Sequence, residues 1–170
     1  MCRVSLLLVG FVACATAASP HVGREAAGAP EAPLSVAGPW KKLVGNPDLG
    51  AWSSPAGQPV DFTIWKAKDG TWQLVSCVRR TRFPGGGRLF FRWEARAVDG
   101  PYEARGIFLT SDDPPGHAQG HIQAPHVVFD GQRYAMIYNS GGQALLRTSE
   151  DGKTFVPVPA HDGSPGLFAV

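Results

Sequence analysis

Residues 121–140, HIQAPHVVFDGQRYAMIYNS, contain the pattern that decides the fold of this chain. Two short apolar runs stand on either side of Asp130-Gly131. Asp-Gly between such runs predicts a β-hairpin, because glycine adopts a positive φ without steric cost. The second run, residues 134–138, is apolar at every position and therefore on both faces of a strand. A strand of this kind is expected to be covered on both sides by other parts of the protein.

The composition favours many short strands joined by turns. The chain has 170 residues with 21 Gly and 15 Pro, only 18% are charged, and no long stretch has apolar residues at helical spacing. This length is sufficient for one domain with a core. The net charge of +2 and the lack of a basic stripe with interleaved aromatic residues argue against a nucleic-acid partner. We interpret the short basic cluster at residues 79–82 as a solvated loop.

The first 18 residues are interpreted as a signal peptide. Arg3 supplies a positive charge, residues 6–12 form an apolar run, and residues 15–17 (ATA) form a cleavage site of small side chains. The run is too short to span a bilayer, so no membrane span is expected. Lipoprotein processing at Cys14 is the alternative and would leave a lipid anchor. Both interpretations predict a secreted or periplasmic protein, with residues 19–37 as a flexible spacer rich in Ala, Pro and Gly.

Cys77 is the one cysteine that remains after the signal, which contains Cys2 and Cys14. No intrachain disulfide is therefore expected. Cys77 stands in the apolar run 74–78, where a buried structural thiol is favoured over a nucleophile.

The chain repeats its pattern once. Asp-Gly at 69–70 and at 130–131 ends a first strand, glycines at 85–87 and 141–142 precede a third, and Asp-Gly at 99–100 and 151–152 precedes a fourth. The fold class is therefore all-β, with two consecutive four-stranded antiparallel meanders at about 58–110 and 121–160, followed by the start of a third. The period favours blades of a β-propeller, and a two-sheet β-sandwich is the alternative.

Four segments of the chain resemble the five-bladed propeller glycoside hydrolases of the family 43 type and their secreted bacterial relatives. They are residues 58–62 (QPVDF), 89–94 (LFFRWE), 123–128 (QAPHVV) and 149–155 (SEDGKTF), within a stretch from about Trp40 to Val158. The resemblance implies that residues 38–170 form a partial five-bladed β-propeller that acts on an oligo- or polysaccharide without a cofactor. The last segment also resembles the Asp box of sialidases, one residue short, which implies a structural role for Asp151.

The resemblance also implies roles for individual residues. In such enzymes an Asp on the inner strand of the first blade is the general base, and Asp61 is the matching residue. Residues 123–126 resemble either an Ala-Pro-Asp blade opening, in which His126 replaces the Asp, or a Glu-Gly-Pro-His acid motif, in which Gln123 replaces the Glu. The sequence therefore departs from the family pattern at the second carboxylate.

The chemistry of the candidate residues suits sugars. Glycoside hydrolysis uses two carboxyl groups, and Asp61 is the candidate for the one that activates water. His126 is a candidate proton donor, because histidine titrates near neutral pH. Gln123 and His121 are candidates for binding sugar hydroxyl groups, and Trp65 offers an aromatic face for a pyranose ring.

A metal site is not expected. His117, His121 and His126 are the residues to consider, but two loop residues and one strand residue have no compact ligand spacing.

Three functional hypotheses remain open from the sequence. The first is an exported glycoside hydrolase of the family 43 type. The second is a non-catalytic carbohydrate-binding or interaction propeller, which the missing carboxylate favours. The third is an inactive fragment that lacks the blades carrying the general acid.

Overall fold

A computed structural model of the protein describes residues 38–112 and 118–159. A compact unit of the chain begins at Trp40. The predicted signal peptide, the spacer at 19–37 and the start of a third repeat lie outside the described residues, and so does His117.

The described residues form eight strands and one short 3-10 helix. The helix is Gly50–Trp52, and the strands are β1 (Gln58–Lys66), β2 (Trp72–Arg79), β3 (Leu89–Ala95), β4 (Glu103–Leu109), β5 (Ile122–Phe129), β6 (Tyr134–Ser140), β7 (Gln143–Ser149) and β8 (Val156–Val158).

The strands make two four-stranded antiparallel sheets, each in chain order. Strands β1–β4 form the first sheet and β5–β8 form the second sheet. The all-β class and the two consecutive four-stranded meanders predicted from the sequence are confirmed. Over 38–112 and 118–159 the two sheets are open, and the strands close into neither a barrel nor a ring.

Four connections at one end of the sheets contain Asp-Gly, and we call this the Asp-Gly end. They lie at residues 69–70, 99–100, 130–131 and 151–152, and each glycine has a positive φ, between 76° and 97°. In the turn after β5, Asp130 Oδ1 accepts hydrogen bonds of 2.8 Å from the N–H groups of Gln132 and Arg133. The Asp130 carboxylate thus satisfies backbone N–H groups that cannot form strand hydrogen bonds in the turn, as Asp does in tight turns. This confirms the hairpin predicted around Asp130-Gly131.

The opposite end has a β-bulge in each of β1 and β5, and we call it the bulge end. The extra residue of β1 is Asp61, and the extra residues of β5 are Ala124 and Pro125. Asp61 and Ala124 stand the same number of residues before the ends of their strands, at Lys66 and Phe129. The two sheets therefore have bulges at matching positions. A bulge bends its strand and changes the direction of the side chains next to it.

The second sheet packs on one face of the first through a shared apolar core. Val127 N–H donates to Thr63 Oγ1 at 3.1 Å, and the Tyr134 hydroxyl donates to Lys66 O at 2.9 Å, so polar contacts fix how the sheets meet. The buried members of the core are Trp65, Val75, Cys77, Phe90, Leu109, Ile122, Val127, Tyr134, Met136, Tyr138, Leu145 and Phe155.

The outer faces of the two sheets differ. The first sheet is covered by the segment before β1, which contributes the buried Leu49 and the half-buried Trp52. On the second sheet, Val128, Ile137 and Val156 remain 43%, 42% and 57% exposed. The prediction that residues 134–138 are covered on both faces is thus wrong within the described part of the chain, because none of its elements packs over Ile137.

Candidate functional site

All the described candidate residues except Trp65 lie at the bulge end, where β1 and β5 begin and β2 and β6 end. Asp61 lies in the bulge of β1, and Gln123 borders the bulge of β5. Strands β1 and β5 are in contact, so these two segments lie at the same end of the sheets.

Asp61 is exposed and lines a cleft of about 470 Å³ between the start of β1 and residues 41–44. Phe62 and Lys41 line the same cleft, and the Phe62 side chain is 66% exposed. A carboxylate accepts hydrogen bonds from hydroxyl groups, an aromatic ring covers the apolar face of a sugar, and an ammonium group donates. The cleft therefore combines the three kinds of contact that a glycan uses.

Gln123 is held in a hydrogen-bonded chain. Its Oε1 accepts from the guanidinium of Arg88, and its Nε2 donates to Asn139 Oδ1 at 3.3 Å. These hydrogen bonds link the two sheets, because Arg88 immediately precedes β3 of the first sheet, and Gln123 and Asn139 lie in β5 and β6 of the second. Arg88 and Asn139 were not identified as site residues from the sequence, where no spacing relates them to Gln123.

The two candidate histidines lie in different surroundings. His121 is exposed beside the loop at 85–87, where a Cβ on Gly86 would come within 2.8 Å of His121 Nδ1. His126 is also exposed, but it pairs with Ile137 and shares the outer face of the second sheet. His126 does not line the cleft that contains Asp61, so we do not treat the two as an acid–base pair.

Trp65 lies in the core between the sheets and is only 6% exposed. Its indole N–H donates to Gly152 O at 2.8 Å, and its ring packs edge-on against Phe155. The ring faces are occupied by protein atoms, which leaves no room for a pyranose, so Trp65 is not part of the site we propose.

Asp151 organises the turn that follows β7. Its Oδ1 accepts from Lys153 N–H at 2.7 Å, from Thr154 N–H at 2.8 Å and from the Ser149 hydroxyl at 2.8 Å. The bonds to the backbone N–H groups hold the pKa of Asp151 at about 2, well below its usual range. These contacts are those of a folding device, as the sequence predicts for Asp151.

A polar cluster joins the sheets at the Asp-Gly end. Lys153 Nζ lies 2.5 Å from Asp69 Oδ2 and 2.7 Å from Glu94 Oε2, and Gln73 Nε2 donates to the same Glu94 oxygen at 2.8 Å. The hydrogen bond from Lys153 lowers the pKa of Glu94 to about 2 and that of Asp69 further. Sequence reasoning missed this cluster, because its members come from two strands and two turns that are far apart in the sequence. Arg105 Nη2 lies 3.0 Å from the other Glu94 oxygen, so two cations face two acids, and we assign the cluster to stability.

Cys77 is fully buried, and its thiol lies 3.5 Å from Ile122 O. Burial raises the pKa of Cys77 to about 12, which keeps the thiol protonated. The predicted structural role of Cys77 fits this environment.

Within 38–112 and 118–159, no three His, Cys, Asp or Glu side chains converge in a way that could hold a metal ion. In the same ranges, no helix has the length and apolar character needed to cross a membrane.

Comparison of the chain with protein-family models, with curated proteins and with solved structures found no match.

Proposed function

We propose that the protein is an exported, glycan-acting β-propeller of the glycoside hydrolase type, in which the two sheets are neighbouring blades. Sugar binds at the bulge end, and Asp61 is the general base.

The arrangement of the sheets supports the blade interpretation. Each sheet is a complete meander, whereas β-sandwiches typically exchange strands between sheets through Greek-key connections. The bulges of β1 and β5 stand at matching positions, as expected of repeated units. The apolar outer face of the second sheet is suited to a further blade.

The cleft beside Asp61 carries the functional part of the proposal. Asp61 is exposed and has no hydrogen-bond or ion-pair partner among the described residues, so its carboxylate is free to accept a proton from water. Phe62 stands beside it with most of its side chain exposed. Hydrolysis also needs a second carboxyl group on the other side of the scissile bond.

Sugar binding without hydrolysis is the second candidate, and one observation favours it. The position in β5 that matches Asp61 is Ala124, and Gln123 beside it is engaged by Arg88 and Asn139. Among the described residues, the cleft contains no carboxyl group besides Asp61.

The test measures hydrolysis and binding of plant and algal oligosaccharides by the full chain and by Asp61→Asn. Loss of a general base lowers the rate by about 10²–10⁴-fold. Glu150→Gln is the control, because Glu150 is an exposed acid at the Asp-Gly end. Binding without turnover that Asp61→Asn removes selects the second candidate. Equal hydrolysis by wild type and Asp61→Asn excludes Asp61 as the base.

A further inference from the structure

Positive charge is concentrated in the stretch that joins β2 to β3 at the bulge end. Residues 79–88 carry Arg79, Arg80, Arg82 and Arg88 and no acid, whereas the connection at 110–121 carries Asp112 and Asp113 and no Lys or Arg. The connections at the Asp-Gly end are mixed instead, with the acids Asp69, Asp99, Asp130, Glu150 and Asp151 beside the bases Lys68, Arg96, Arg133 and Lys153. The excess of cations is therefore local and does not follow from the net charge of +2.

Two of these cations flank the end of the strand pair β2–β3. Arg79 follows Val78 and Arg88 precedes Leu89, and Val78 pairs with Leu89 in the last register pair of the two strands. Alternation along the strands puts both side chains on the face that carries Cys77 and Phe90, which looks toward the second sheet. Like charges close together at the end of neighbouring strands repel each other, and an anion bound between them offsets that repulsion.

Arg79 has an unused donor at this place. Its Nε is buried and has no hydrogen-bond partner within the part of the chain that the structure describes. The side chain as a whole is half-buried. A buried N–H without a partner is costly, so the protein loses stability by holding Arg79 in this place.

Backbone hydrogen bonds hold the loop that carries these arginines against the segment before β5. Gly86 N–H donates to Gln119 O at 3.0 Å and Arg88 N–H to Gly120 O at 3.1 Å, which ties the loop at 80–88 to the segment entering β5. The backbones approach so closely that a Cβ on Gly85 would lie 2.1 Å from Gln119 O. A loop held in this way presents its cations in a fixed arrangement, which reduces the entropy lost on binding.

We propose that the glycan recognised at the bulge end is anionic, and that Arg79, Arg80 and Arg88 bind its carboxylate or sulfate groups. This inference rests on the proposed function, and it names the class of sugar that the site takes. Guanidinium groups bind planar and tetrahedral oxyanions through paired, charge-assisted hydrogen bonds.

A nucleic acid fits this surface less well than an acidic sugar. Asp61 stands at the same end, in a cleft with Phe62 and Lys41, and its carboxylate accepts hydrogen bonds from the hydroxyl groups that an acidic sugar carries beside its charged groups. A nucleic-acid partner also needs a longer run of cations along its backbone.

Calorimetry on the full chain tests the inference with four probes of matched length. They are a uronic-acid oligosaccharide, a sulfated galactan oligosaccharide, a neutral xylan oligosaccharide and a single-stranded oligonucleotide. We expect at least one acidic sugar to bind about tenfold or more tightly than the neutral one, and the preference to shrink as salt screens the charges. The uronic and sulfated probes then show which oxyanion the site prefers.

Arg79→Gln should weaken binding of the acidic sugar about tenfold, since a charge-assisted hydrogen bond is lost. Arg96→Gln removes an equal charge from an exposed position at the Asp-Gly end and should change nothing. Arg80→Asn is a second variant for the case that Arg79→Gln does not fold. Arg80 is exposed and its φ is +57°, a conformation that asparagine tolerates.

Each outcome decides between the two proposals. Equal binding of neutral and acidic sugars overturns the anionic preference and leaves the proposed function in place. Binding of no sugar overturns both. Binding of the oligonucleotide as tightly as the best sugar assigns the arginines to a general polyanion surface and overturns the inference. Full affinity in both Arg79→Gln and Arg80→Asn also overturns it.

Discussion

The two ends of the sheets differ in whether their polar side chains have hydrogen-bond partners. At the Asp-Gly end, Asp69, Glu94 and Asp151 each accept hydrogen bonds, and each has a lowered pKa. At the bulge end, Asp61 is exposed and Arg79 Nε is buried without a partner among the described residues. One end therefore pairs its charges and holds the sheets together, while the other, in the described part of the chain, leaves Asp61 exposed and Arg79 Nε unpaired at a cost in stability.

Backbone conformation shows the same contrast. Arg80 and Ala124 are the non-glycine residues with a positive φ within the described ranges, at 57° and 52°, and both lie at the bulge end. At the Asp-Gly end the turns use glycine where φ is positive. Backbone strain of this kind costs stability and tends to be kept at functional sites.

The largest expected effect concerns Trp65, which joins the core to the Asp-Gly end. Trp65→Ala should lower the free energy of unfolding by about 3–5 kcal/mol, because it empties a large buried volume. Trp65→Phe keeps most of that volume and should lose only about 1 kcal/mol, for the hydrogen bond to Gly152 O. Urea unfolding measures both values. Stable Trp65 variants that lose sugar binding would show that Trp65 belongs to the ligand site.

The sequence predicted the parts of the fold that depend on local patterns. The Asp-Gly turns could be predicted because the Asp side chain bonds to the backbone of the turn and Gly adopts the positive φ that the turn requires. The burial of Trp65 in the core between the sheets could not be predicted from the sequence. Simple alternation puts Asp61, Thr63 and Trp65 on one face, and the bulge releases Asp61 from the face that buries Trp65.

The site was predicted only in part for a similar reason. Asp61 was identified through a motif, and the structure leaves it exposed in a cleft. The interpretation of residues 79–82 as a solvated loop fits Arg80 and Arg82, which are exposed, but not Arg79, which ends β2 and is half-buried. Whether a cation has a partner depends on contacts between distant segments, and the spacing of residues in the sequence does not predict those contacts.

An intermediate effect on the free energy of unfolding is expected from the polar cluster around Lys153 at the Asp-Gly end. Lys153→Met removes the ammonium group between Asp69 and Glu94 and should lower the free energy of unfolding at neutral pH by about 2 kcal/mol. Lys68→Met is the control, because Lys68 is an exposed lysine in the neighbouring turn.

The effect of Lys153→Met should depend on pH. The Glu94 pKa is about 2 in the folded protein, below its ordinary value of 4.5, so its stabilising contribution is complete above pH 4.5. That contribution is lost as the pH falls through the folded value, when Glu94 becomes protonated. Urea unfolding from pH 7 to pH 2 should show the wild-type advantage shrinking in that window. A difference that stays constant with pH would mean that Lys153 acts through packing alone.

The smallest effect is expected at Ala124, and it has the opposite sign. Ala124→Gly should leave stability unchanged or raise it by up to about 1 kcal/mol, because glycine relieves the positive φ while it makes the unfolded chain more flexible. Ala135→Gly is the matched control in β6. There glycine should cost about 0.5–1 kcal/mol, as in any strand interior. If Ala124→Gly destabilises as much as Ala135→Gly, the bulge stores no strain. If it stabilises and also weakens sugar binding, the strain at the bulge end serves to hold Gln123 in place for the ligand, at the expense of stability.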